Sequence, residues 1–184
     1  MAMDSERGAR TVRAMPVQKP GKSIQDYATP RVFLDAFEAR WGKIDFDLAA
    51  HRRNAMARAY FTDDISDRQA FGIDALRQGP IWERLTDGRQ FSRLWLNPPF
   101  GGIAPWAKRC AEWCARKHLV SPRLFFLVPA SIGSNWFREH VHNQALVLFL
   151  SPRLSFDGKA PYPKDCMLCV YGESPGYECW RWTP

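Results

Sequence analysis

With 184 residues, 46% hydrophobic and 24% charged, the chain is long enough to bury one core and too rich in aromatics for a disordered polymer. No apolar run approaches the eighteen or so residues of a membrane helix, and charges stand where a secretion signal would be apolar, so a cytoplasmic protein is expected. A net charge of +7 points to a polyanionic partner, nucleic acid before others.

Residues 1–22 lack hydrophobic periodicity and carry Arg7, Arg10, Arg13, Lys19 and Lys22, which predicts a flexible basic tail ahead of a single domain over 23–184. Thr29-Pro30 ahead of Val32, Phe33, Leu34, Phe37 and Trp41 predicts a helix that ends near Gly42, with threonine as the cap and proline in the first turn. Residues 44–50 suggest a short strand running into a loop, and 54–60 a brief helix. The stretch 61–88 has no clear pattern. Residues 93–96 form an apolar strand that stops at Asn97-Pro98-Pro99, since proline cannot extend a sheet ladder. A helix over 103–117, a strand over 123–129, a helix over 134–143 and strands over 145–150 and 165–171 complete the order.

Alternating strands and helices predict an α/β fold with a mostly parallel sheet and helices on both faces. Ligands of such sheets bind beyond the carboxyl ends of the strands, where Asp47, Asn97 and Pro129 all fall. Five cysteines, an odd number, predict free thiols. Cys166 and Cys169 form a CxxC inside an apolar run that reads as a buried strand, and Cys110 and Cys114 lack two further ligands, so no metal is expected.

Asn97-Pro98-Pro99-Phe100 is the strongest signal. An asparagine oxygen and the carbonyl of the following proline can accept both hydrogens of a planar amino group, and proline aims the two acceptors at one point. Such a seat favours a pyramidal nitrogen and suits transfer to an amide or to the exocyclic amine of a base. The ring of Phe100 suits stacking on a base turned out of its duplex.

Together with Gln25-Asp26-Tyr27-Ala28-Thr29-Pro30, Asp47-Leu48-Ala49-Ala50, Asn54-Ala55, Asp74-Ala75-Leu76, Leu127-Val128-Pro129-Ala130 and Arg153-Leu154-Ser155-Phe156, this tetrad resembles the phage and prophage DNA N6-adenine methyltransferases. The resemblance implies a Rossmann-like class I methyltransferase fold whose sheet ends in a reversed strand, with S-adenosylmethionine as methyl donor. It implies Asn97, Pro98, Pro99 and Phe100 as the catalytic group acting on an adenine flipped from double-stranded DNA. It places Tyr27, Thr29, Pro30, Asp47, Ala49, Asp74 and Asn97 around the cofactor. Arg52, Arg53, Ser131, Trp136, Arg153, Phe156 and Lys159 are the candidate DNA contacts, by phosphate pairing or stacking.

Two features depart from the pattern. The broad class usually carries a glycine-rich loop after its first strand, whereas residues 48–53 contain no glycine. Tyr27 and Phe100 stand where the family often has tryptophan and tyrosine, and both keep an aromatic face. The tetrad also suits a protein glutamine or RNA adenine methyltransferase, and the glycine-free loop suits a non-catalytic nucleic-acid-binding descendant. With no separate target-recognition domain expected, base readout falls to loops at the crevice, and a recognition site of about four base pairs or fewer, or relaxed specificity, follows.

Overall fold

A computed structural model of the chain describes residues 28–77, 81–86, 91–115, 122–156, 158 and 160–183. Within them eight strands pair into one sheet: β1 (Phe46–Asp47), β2 (Ala59–Thr62), β3 (Gly72–Ile73), β4 (Arg93–Leu96), β5 (Arg123–Pro129), β6 (Leu146–Ser151), β7 (Cys166–Tyr171) and β8 (Gly176–Arg181). Their spatial order is β3-β2-β1-β4-β5-β7-β6-β8. Every neighbouring pair is parallel except those made by β7, which runs against both β5 and β6.

Among the described residues four α-helices cover this sheet: α1 (Arg31–Trp41), α2 (Ile81–Thr86), α3 (Ile103–Ala115) and α4 (Asn135–His140). Strand side chains alternate between faces, and the core divides accordingly. Leu94, Leu96, Phe126, Val128 and Met167 join Trp82 of α2, Ala107 and Trp113 of α3, and Phe137 of α4. Trp95, Phe125, Leu127 and Leu168 join Phe33, Leu34 and Phe37 of α1, whose Phe37 ring meets Trp95 and Phe125 edge-on at 5.2 and 4.7 Å. Helices therefore lie on both faces, three on the first and one on the second.

Several expected elements are corrected. The brief helix expected over 54–60 is a turn followed by β2. Side chains hold the turn: His51 N–H donates to Asn54 Oδ1 and Met56 N–H to the Asp47 carboxylate, after which Ala59 and Tyr60 enter the ladder beside β1. The patternless stretch 61–88 holds the end of β2, all of β3 and α2. The expected reversed strand is β7, but it is not the last, because β8 follows and pairs parallel to β6. Thr29 does not cap α1. Pro30 is the N-cap residue, its carbonyl accepting from Phe33 and Leu34 N–H, and the threonine hydroxyl turns elsewhere.

The CxxC lies in β7 with both thiols buried, and burial pushes the Cys166 thiol up to about 12 and raises that of Cys169 as well. These are packing residues held in the neutral form. Past β7, Gly172 adopts φ +92°, and a Cβ there would come within 2.6 Å of the Pro122 carbonyl oxygen, so that turn needs glycine. No helix among the described residues is long and apolar enough to cross a membrane.

Candidate active site

A cavity of about 420 Å³ opens at the carboxyl ends of β1 to β4. Thr29, Asp47, Ala49, Asp74, Asn97 and Pro99 all line it, so six positions chosen from sequence motifs converge on one hollow. Its size falls in the range of small-ligand sites.

Asp47 closes β1 and is almost fully buried, at 2% exposure. Its Oδ1 accepts Ala49 N–H at 3.2 Å and its Oδ2 accepts Met56 N–H at 3.0 Å. Burial pushes the carboxyl up to about 6, against the opposing pull of those two amides. The same bonds explain the missing glycines. Asp47 and Asn54 side chains hold the loop 48–56 in shape, and among the described residues only Asp74 and Asn143 carry a positive φ without being glycine. This loop makes its turn without the left-handed backbone that would require glycine.

Asn97 follows β4 where Pro98, buried, ends the ladder. Its Nδ2 donates to Thr29 Oγ1 at 3.3 Å, which fixes the amide plane and sets Oδ1 on the opposite edge. Thr29, 6% exposed, thus positions the tetrad rather than a helix. Pro99 leads into a 3-10 turn, Phe100–Gly102, ahead of α3. The Phe100 ring lies outside the cavity, 6.0 Å from Phe156 and 5.8 Å from Tyr162, and those two are 5.4 Å apart, all edge to face.

Asp74 sits in a left-handed conformation at φ 52°, pairs with Arg77 Nε at 3.1 Å and accepts the Arg77 N–H. It is both a turn residue and part of the cavity wall. Asp63, directly after β2, adds a third carboxylate beside His51, whose Nε2 is 3.2 Å from Asp63 Oδ1. Three carboxylates around one hollow, in a chain of net charge +7, select for a ligand that brings positive charge and hydrogen-bond donors.

A family model of DNA N-6-adenine-methyltransferases (Dam) matches residues 18–166, a span that takes in the cavity and the tetrad. The chain belongs to the DNA N-6-adenine-methyltransferase (Dam) family. The DNA N-6-adenine-methyltransferase of Escherichia phage T1 is 24% identical over 131 residues, which cover 71% of this chain and 47% of that protein. The chain thus spans about half the length of the curated relative it matches.

Around the Dam-family tetrad the other expected contacts divide. Pro30 caps α1 and is absent from the cavity wall. Arg52 and Arg53 are exposed on the turn after β1, and Ser131 lies in the loop between β5 and α4. Trp136 is half-buried and packs edge-on against Phe126 and Phe137, so much of its ring belongs to the core. Arg153 is exposed but ion-paired, Nε to Asp165 Oδ1 at 2.7 Å, and Nη1 donates to the Pro163 carbonyl at 3.3 Å. That pairing braces the loop carrying Phe156 and Tyr162. Tyr27, Lys159 and the expected tail lie outside the described residues. Cavity residues that motifs did not single out include the polar or sulfur-bearing His51, Met56, Thr62 and Asp63 and the rings of Phe61, Trp95 and Trp106. Asp63 had a signal, an acidic residue ending a strand, hidden once the strand was misread.

Proposed function

We propose that this chain transfers a methyl group from S-adenosylmethionine to the N6 amino group of adenine in DNA, on a class I Rossmann-like fold. The Dam-family match across the tetrad carries this reading. The sheet order, with β7 reversed between β5 and β6, supports the fold. The cavity supports the donor: a carboxylate-lined hollow of about 420 Å³ suits a ligand with an ammonium, a sulfonium and ribose hydroxyls. Asp47 and Asp63 would hold the amino and hydroxyl groups, with Asp74 at the base edge. When bound, the donor supplies a methyl carbon on sulfur whose bonding electrons stay with the sulfur as the carbon transfers.

The chain's own residues do the rest. Asn97 Oδ1 and the Pro98 carbonyl accept the two amino hydrogens and bring the nitrogen lone pair out of conjugation. A methylated nitrogen held in this seat would be cationic and would give its extra proton to water, so these residues need include no strong base. Phe100 stacks on the flipped base. To test the reading, the protein is incubated with methyl-labelled S-adenosylmethionine and DNA, RNA and protein acceptors. Label in N6-methyladenine of DNA is expected, and label confined to RNA or protein overturns it.

The buried carboxyl adds a second expected result. Asp47 titrates near 6 in the fold and near 3.8 when exposed, so the unfolded chain ionises first as pH rises. Stability of the ligand-free protein therefore falls between about pH 4 and pH 6, by up to about 3 kcal/mol, and is flat above. A ligand donating to this carboxylate lowers its pKa, so affinity rises through the same window. Melting temperatures with and without S-adenosylhomocysteine, at about pH 5 and about pH 7.5, give the comparison. Asp47→Asn is expected to flatten both trends, and a ligand shift independent of pH in the parent would remove Asp47 from the site.

A further inference from the structure

The cavity lies wholly at the β1 to β4 half of the sheet, whereas Phe100, Phe156 and Tyr162 lie toward the β5 to β7 half. On that second half, β5 runs beside β4 with Leu96 opposite Phe126 and ends at Pro129. The loop that follows, Ser131-Ile132-Gly133-Ser134, therefore stands beyond the same sheet end as Asn97. Three residues of extra strand at about 3.3 Å each raise it roughly 10 Å above the tetrad.

Ile132 at the tip of this loop is 60% exposed. A single exposed apolar side chain is ordinarily unremarkable. Here the loop beneath it is fastened: Ser131 carbonyl accepts both Ser134 N–H at 3.0 Å and Ser134 Oγ–H at 2.7 Å, Ser131 N–H donates to the Pro129 carbonyl, and Ala130 N–H donates to the Asp165 carbonyl at the start of β7. Its neighbours are small, and Gly133 has open space around it. Among the described residues, the large exposed apolar side chains on the β4 to β7 half of this sheet end are Val32, on the first turn of α1, and Ile132, and Ile132 is the one carried at the tip of a loop. A stiff loop thus presents one branched apolar group next to the seat for a base.

We propose that Ile132 is a wedge that enters the base stack of duplex DNA and fills the gap left by the flipped adenine. Extrusion costs stacking and pairing energy, and an apolar side chain inserted into the gap recovers part of the lost contact. This proposal rests on the DNA reading above. Its signature is selective: the wedge matters for a paired adenine and little for one already unpaired.

The test compares parent and Ile132→Ala on two duplexes sharing one methylatable adenine, paired with thymine in one and facing an abasic site in the other. Truncating an exposed side chain leaves the fold intact, which a melting curve checks. The paired-to-unpaired rate ratio is expected to fall at least tenfold in Ile132→Ala, and Ile132→Leu to restore most of it. A fluorescent 2-aminopurine at the target should brighten with the parent and less with Ile132→Ala, reporting extrusion without chemistry. An unchanged ratio overturns the wedge while leaving DNA methylation standing. A parent that labels neither duplex overturns both.

Discussion

Replacing Asn97 by alanine is expected to slow methyl transfer to DNA by at least about a hundredfold while the protein still folds and binds its donor. Loss of one preorganised contact to developing charge costs on that order, close to 3 kcal/mol of barrier. The geometry separates this loss from general damage. Asn97 is only half-buried at the end of β4, and its side chain is held to Thr29 rather than to the core. Asn97→Asp keeps an oxygen toward the substrate and lets the Thr29 hydroxyl donate in place of the lost amide, so it should exceed the alanine variant by about tenfold or more. Single-turnover incorporation of labelled methyl, beside melting curves with S-adenosylhomocysteine, gives the readout. Equal rates for parent and Asn97→Ala would take the tetrad out of the chemistry.

The parts of this fold that were legible are those whose signal is local. The strand at 93–96, ended by two prolines, and the apolar runs of β5, β6 and β7 carry their own boundaries, and α1 and α3 show helical spacing. What failed depends on partners distant in sequence. Residues 54–60 have a helix-compatible composition, yet Met56 N–H is claimed by a carboxylate nine positions earlier and Phe61 packs on Phe46. Strand β3 is two residues long, too short for any periodicity. Strand β8 is largely exposed, so its alternation is not one of apolar with polar.

The site divides in the same way. Motif residues found the cavity because strand ends must converge at the crevice of a parallel sheet. Thr29 reads as a helix cap from its neighbours, whereas its hydroxyl accepts from Asn97 across 68 positions of chain, a partner no local pattern can show. The glycine-free loop reads as a defect by comparison with the broad class and as a complete design in the fold. A buried aspartate and an asparagine do there what glycine does elsewhere, at the cost of a carboxyl whose charge depends on pH near 6.

Arg109→Ala is expected to lower stability by about 3–5 kcal/mol, the usual result of leaving half of a buried pair behind. Arg109 is 8% exposed on α3 and reaches Glu83 of α2 through two bonds, Nη1 to Oε1 at 3.0 Å and Nη2 to Oε2 at 2.8 Å. Its guanidinium also lies 4.9 Å from the Trp82 ring centre. Trp82 in turn donates to the Ala75 carbonyl and stacks on Trp106, and both Ala75 and Trp106 line the cavity. Removing the arginine takes both of these bonds from the Glu83 carboxylate and loosens the support of that wall. For a domain of this size the melting temperature should drop by roughly 6–20 °C. Replacing both partners, Arg109→Met with Glu83→Leu, removes the two charges together and should return to within about 2 kcal/mol of the parent. The order of the three melting curves is the test. A single variant that melts with the parent would mean that the pair is solvated in solution and that α2 does not depend on it.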